Sequence, residues 1–187
     1  KSHQHHAARF GLRRYSSPER PYFGRQNGSN MAQDSLEQVA LDVQQCTRCP
    51  RLRAHCTEVA ETKTRRYRDQ AYWGRPVPGF GDPQARVLII GLAPAAHGAN
   101  RTGRMFTGDK SGDWLYGALY EAGFSNQPSS TGPGDGLAVR DVFISAAARC
   151  APPQNKPTAA ELNTCSQTFL TREMALLDQL QAVLCLG

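Results

Sequence analysis

Three short apolar runs divide the body of the chain. Val87 to Ile90 is continuous and aliphatic, the pattern of a strand buried on both faces, as in a parallel sheet. Val142 to Ile144 and Val183 to Leu186 repeat it. Between and before these runs the apolar positions switch to helical spacing. Leu36, Val39, Ala40 and Val43 follow Ser35 and Gln38, which read as a capping box. Trp114, Leu115 and Leu119 mark the buried side of a second helix, and Leu170, Met174 and Leu177 that of a third, which Thr158 and Glu161 cap. Arg51 to Arg68 predicts a helix with a basic face, either solvated or facing phosphates. Strands alternating with helices predict an α/β fold with a central parallel sheet. Gln70 to Pro83 and Asn126 to Gly136, broken by proline and glycine, predict irregular structure.

The longest polar connection follows the first strand. Gly91 ends the run, Leu92-Ala93-Pro94-Ala95-Ala96 carries no large polar side chain, and a loop rich in Gly, Asn, Arg and Thr ends at Phe106-Thr107-Gly108-Asp109. Ligands of open α/β sheets bind at the carboxyl ends of the strands, so this loop is the candidate site. Lys1 to Met31 is polar and aperiodic and predicts a disordered basic tail, leaving 32–187 as the domain. His3, His5 and His6 in that tail read as solvated rather than metal-binding.

Composition adds a partner and a compartment. The 187 residues carry a formal net charge of +6 and a pI of about 9.2, which favours a polyanion, nucleic acid first. No run approaches the roughly 20 apolar residues of a membrane span, and no secretory h-region opens the chain. A cytoplasmic location, no membrane partner and a monomer are expected. Six cysteines in such a chain point to metal or redox chemistry. Cys46 and Cys49 are separated by two residues; Cys150 and Cys165 by fourteen. Together they can close one four-thiolate site for zinc or a [4Fe–4S] cluster. The second pair is too open for a zinc ribbon, which favours the cluster. Cys56 reads as a spare, and Cys185, in the third apolar run, as core.

The stretch GLAPAAHGANRTGRMFTGD, with the four cysteines and RCAPPQNKP, resembles the family 5 (type B) uracil-DNA glycosylases of the uracil-DNA glycosylase superfamily. The resemblance covers about Leu36 to Gly187. It implies a three-layer α/β/α sandwich, a [4Fe–4S] cluster, and excision of uracil from DNA to leave an abasic site. It also implies tolerance for other deaminated bases such as hypoxanthine. Family 4 enzymes place Glu where this chain has Leu92 and Asn where it has Ala146; both departures fit the type B pattern. The resemblance makes Asp109 the catalytic carboxylate. It places a second, histidine-bearing motif beyond Gly187, so the chain is expected to be C-terminally truncated.

Cleaving an N-glycosidic bond develops positive charge on the sugar and negative charge on the departing base. A carboxylate beside the sugar stabilises the first and activates water. Asp109 is placed for that work, and equally for capping the helix after it. Gly91, Leu92, Ala93, Pro94 and Ala95 read as the wall that meets the base, with backbone N–H groups in Leu92 to Ala95 donating to its carbonyl oxygens. Phe106 stacks on an extruded base or packs under the loop. Asn155 contacts the base or forms a turn beside Pro157. His97 reads as solvated, and Arg101 and Arg104 as phosphate contacts. The competing reading is a cluster-ordered nucleic-acid-binding module without catalysis. A Rossmann-type nucleotide site is poorly supported, because Gly91 to Gly98 lacks G-x-G-x-x-G spacing.

Overall fold

The computed structural model describes residues 34–186, so the expected tail, with His3, His5 and His6, lies outside the described residues. Four strands form one sheet: β1 (Phe80–Gly81), β2 (Val87–Gly91), β3 (Val142–Ala146) and β4 (Ala182–Leu186), in the order β1-β3-β2-β4. β2, β3 and β4 are parallel, and only the two-residue β1 is antiparallel. The three apolar runs are therefore adjacent strands, with β2 between the other two.

Alternation along β2 and β3 feeds two cores. Ile89 and Ile144 pack with Leu115, Tyr116 and Leu119 of α4 (Lys110–Glu121) and Ala99 of α3 (Ala99–Thr102). Leu88 and Phe143 face the other way. They meet Leu36 of α1 (Leu36–Gln44), Met174 of α6 (Thr171–Leu176) and Leu177. Helices thus cover both faces, as the fully apolar strands require. The fold is the expected α/β sandwich with a mainly parallel central sheet.

Of the two predicted capping boxes, one forms in full and one in part. Thr158 and Glu161 make a full capping box at the start of α5 (Ala159–Cys165). Ser35 Oγ accepts from Gln38 N–H at 3.1 Å, but the Gln38 amide donates to Asp42 instead of returning to Ser35. The helix expected over Thr158 to Leu177 is divided: α5 passes through a π turn (Ser166–Leu170) into α6. Such turns cluster at functional sites, and this one directly follows Cys165. The basic helix also stops early. α2 (Pro50–Thr62) ends at Lys63, whose φ of 51° cannot continue a right-handed helix, and a 3-10 turn (Arg65–Tyr67) follows.

Two expectations about burial fail. Cys185 is exposed, because among the described residues β4 has only β2 beside it and lies at the sheet edge. Trp114 is 59% exposed: Leu115, Tyr116 and Leu119 take the buried face of α4, and the residue before them points outward.

Candidate active site and cysteine cavity

Gly91, Ala146 and Leu186 lie side by side in register at the carboxyl ends of β2, β3 and β4. All three line a cavity of about 630 Å³. Leu92, Ala93, Pro94, Ala95, Phe106 and Asp109 line it too. The structure thus brings together every substrate-contacting residue expected from the sequence except Asn155. That residue sits in an exposed 3-10 turn (Pro153–Asn155) outside the cavity lining, at the left-handed φ of 57° that Asn tolerates. Ala99, Met105, Ser111, Trp114 and Cys185 complete the wall and were not expected there.

Asp109 is the N-cap of α4, in extended conformation at φ −144°. Its Oδ1 accepts from Ser111 N–H at 3.0 Å and Gly112 N–H at 3.3 Å, and from the Ser111 hydroxyl. Its Oδ2 accepts from no described residue and lies against Gly98, where a Cβ would collide with it. One oxygen is fixed by the helix and the other is left free. Capping therefore occupies only one of the two carboxylate oxygens.

Phe106 holds a left-handed φ of 51°, a conformation that costs a non-glycine residue roughly 1–3 kcal/mol. Its ring crosses Gly91, where an added Cβ would come within 2.8 Å of Cζ. The loop around it is bonded internally. Thr107 Oγ1 meets Ser130 Oγ at 2.8 Å, and Tyr116 OH donates to Met105 O at 2.7 Å. Arg104 is buried, donating to Ser130 Oγ at 2.9 Å and Asp135 at 2.7 Å. Burial raises the Asp135 carboxyl, but Arg104 and the N–H groups of Leu137, Thr131 and Gly132 outweigh it and hold it well below the ordinary value.

Arg101 donates to His97 O at 2.7 Å, Gln70 at 2.7 Å and Gly108 O at 3.2 Å, and lies 4.0 Å over the Tyr67 ring. Both arginines hold the loop by bonds inside the protein, and the burial of Arg104 corrects the expectation that it faces phosphates. His97 also has a partner, Tyr72 OH at 3.0 Å from Nδ1. No described residue accepts from the backbone N–H groups of Leu92, Ala93 or Ala95 at the cavity wall.

Cys46, Cys49, Cys150 and Cys165 line a second, small cavity, together with Arg48, Arg53 and Arg149. Cys46 and Cys49 come from the link between α1 and α2, Cys150 from the segment after β3, and Cys165 from the end of α5. Among the described residues no three His, Cys, Asp or Glu side chains converge closely enough to hold a single metal ion. The four sulfurs border a shared space without meeting at one point. Burial pushes the Cys165 thiol up to about 11 while Arg149 pulls against it; burial also raises Cys49, reinforced by Cys150 and Cys46. Cys56 is fully buried beside this group, its sulfur 3.6 Å from Ala151 O. Arg51 of α2 ties the first of these segments to α5 through Glu161 at 2.8 Å.

Residues 78–187 match the Uracil DNA glycosylase superfamily. The chain belongs to that superfamily. It is 51% identical over 153 residues to the Type-5 uracil-DNA glycosylase of Mycobacterium leprae, covering 82% of this chain and 67% of the relative. To those of Mycobacterium tuberculosis and Thermus thermophilus it is 54% identical over 142 residues, 76% of this chain and 53% and 64% of the relatives. The chain thus spans between about half and two thirds of the length of these curated relatives. Within the superfamily, likeness to a Type-4 enzyme, that of Saccharolobus solfataricus, falls to 29%. Family membership and the strand-end cavity converge on the same segment, since 78–187 contains every residue of the cavity wall.

Proposed function

We propose that this chain extrudes uracil from DNA into the strand-end cavity and hydrolyses its N-glycosidic bond, leaving an abasic site. The observation that carries the reading is Asp109, a residue of the cavity wall with Oδ1 anchored to the start of α4 and Oδ2 without a hydrogen-bond partner among the described residues. The free oxygen stabilises the cationic sugar and takes the proton of the attacking water. The N–H groups of Leu92, Ala93 and Ala95 receive the negative charge that develops on the base. Phe106 offers a face for stacking. A cavity of about 630 Å³ has room for a purine as well as a pyrimidine, which supports activity on hypoxanthine and other deaminated bases. Arg65, Arg66 and Arg68 are exposed beside Tyr67, which Arg101 joins to the Gly108 edge of the site; they supply the phosphate contacts. Asn155, outside the cavity lining, serves the turn. The reading takes a monomer acting where DNA is, in the cytoplasm.

The same proposal gives Cys46, Cys49, Cys150 and Cys165 a [4Fe–4S] cluster. A lone zinc needs its sulfurs within about 2.3 Å of one centre, whereas a cluster offers each thiolate its own iron and suits a spaced set. Such a cluster supplies a rigid covalent junction among three chain segments. No step of base release runs through it. The deciding assay is uracil release from single- and double-stranded DNA by this chain and by a version extended past Gly187. Release of free uracil supports the reading; tight DNA binding without release by either version favours a nucleic-acid-binding module.

A further inference from the structure

Among the described residues, five buried side-chain polar atoms lack a hydrogen-bond partner, and three of them are Arg53 Nη1, Arg149 Nε and Arg149 Nη1. Both arginines line the cysteine cavity. Buried donors are paired in nearly all folded proteins, so a cluster of orphans marks a missing acceptor. Each guanidinium is held from behind. Arg53 Nη2 donates to Gly74 O at 3.0 Å. Arg149 Nη2 donates to Glu173, whose carboxylate also accepts from Ser145 at 2.7 Å. The Arg149 side chain is 1% exposed, which leaves its other N–H groups no route to bulk water. Glu173 balances the charge of Arg149, but no described carboxylate pairs with Arg53. Four thiolates around an iron–sulfur core make a net anionic centre with sulfur acceptors, the complement of these donors.

We propose that Arg53 and Arg149 donate hydrogen bonds to the sulfurs of the cluster and hold it against release. The inference rests on the cluster reading above. Arg48 lines the same cavity but is exposed, so its charge is screened by solvent and it serves as the control.

The test measures iron per chain after anaerobic purification, then the rate of iron release to a chelator, with the melting transition as a check on folding. Arg53→Met should release iron about tenfold faster or more, the usual effect of removing an outer partner of a metal ligand. Arg53→Lys, which keeps a donor and a charge, should fall between. Arg149→Met alone strands the buried Glu173, so the double variant Arg149→Met/Glu173→Gln is used; it should also release iron about tenfold faster. Arg48→Met should stay within about twofold of the parent. If the parent holds about four irons and Arg53→Met and the double variant release them at the parental rate, the arginine assignment is overturned and the cluster stands. If the parent purifies without iron and takes none up on reconstitution, the cluster reading fails, and the arginine assignment with it.

Discussion

Around the strand-end cavity the polar side chains are mostly bonded within the protein; around the four cysteines three buried guanidinium nitrogens are not. Asp109 Oδ1, Arg101, Arg104, Thr107 and Ser130 all have partners, leaving one carboxylate oxygen and a few backbone N–H groups free at the wall. Such a site stands ready for a substrate that comes and goes, with no reorganisation at the moment of reaction. The cysteine cavity has buried thiols, cationic neighbours and unpartnered donors. On the reading proposed above, a resident cluster completes it. On the proposed function, the difference separates a place for chemistry, built mainly by the loop after β2, from a place for structure.

The sharpest way to break this contrast is to remove the resident. Cys150→Ser should abolish stable iron binding and lower the melting temperature by about 10 °C or more, taking several kcal/mol at roughly 2–4 °C each. Should Cys150→Ser keep its iron and melt with the parent, the cysteine cavity would be as self-sufficient as the other. Next in size, Phe106→Ala should weaken binding to uracil-containing DNA by about 1–3 kcal/mol, read by titration. A lower melting point with unchanged affinity would make Phe106 plain packing over Gly91. Smaller still, Asp109→Ala should cost about 1 kcal/mol of stability through the lost cap, a shift of a few degrees.

The smallest effect is a pH dependence. Arg51, then the N–H and hydroxyl of Thr158, hold Glu161 down at about 2 against an ordinary 4.5. A carboxyl depressed in the folded state adds stability above its unfolded pKa and loses it as pH falls toward the folded value. Parent and Glu161→Gln should therefore differ in melting temperature at pH 6 and converge as pH falls from about 4.5 toward 2. A difference that persists at low pH would contradict the pairing.

Much of this arrangement is legible in the residues. Uninterrupted aliphatic runs specify buried parallel strands, and Asp109, Thr158 and Ser35 announce helix starts because short polar side chains satisfy free N–H groups. Burial that depends on neighbours is not legible. Cys185 has the same local pattern as Ile90, but one strand order leaves it at an edge. Arg104 looks like a surface cation until Asp135, thirty-one residues away, closes on it. The four cysteines could be grouped from spacing, but the arginines behind them could not. Nothing local marks Arg53 or Arg149 as buried donors; only the tertiary cavity brings them to the thiols.

The central claim is that one oxygen of Asp109 caps α4 while the other performs the chemistry. Asp109→Asn separates the two, since Asn caps a helix as well as Asp and keeps its shape. The measurement is single-turnover uracil release by the variant and its parent, with melting temperature, iron content and DNA affinity recorded alongside. The account predicts an unchanged fold, unchanged iron and unchanged binding, with excision slowed by about 10²–10⁴. Excision within a few-fold of the parent would contradict it and reduce Asp109 to a helix cap.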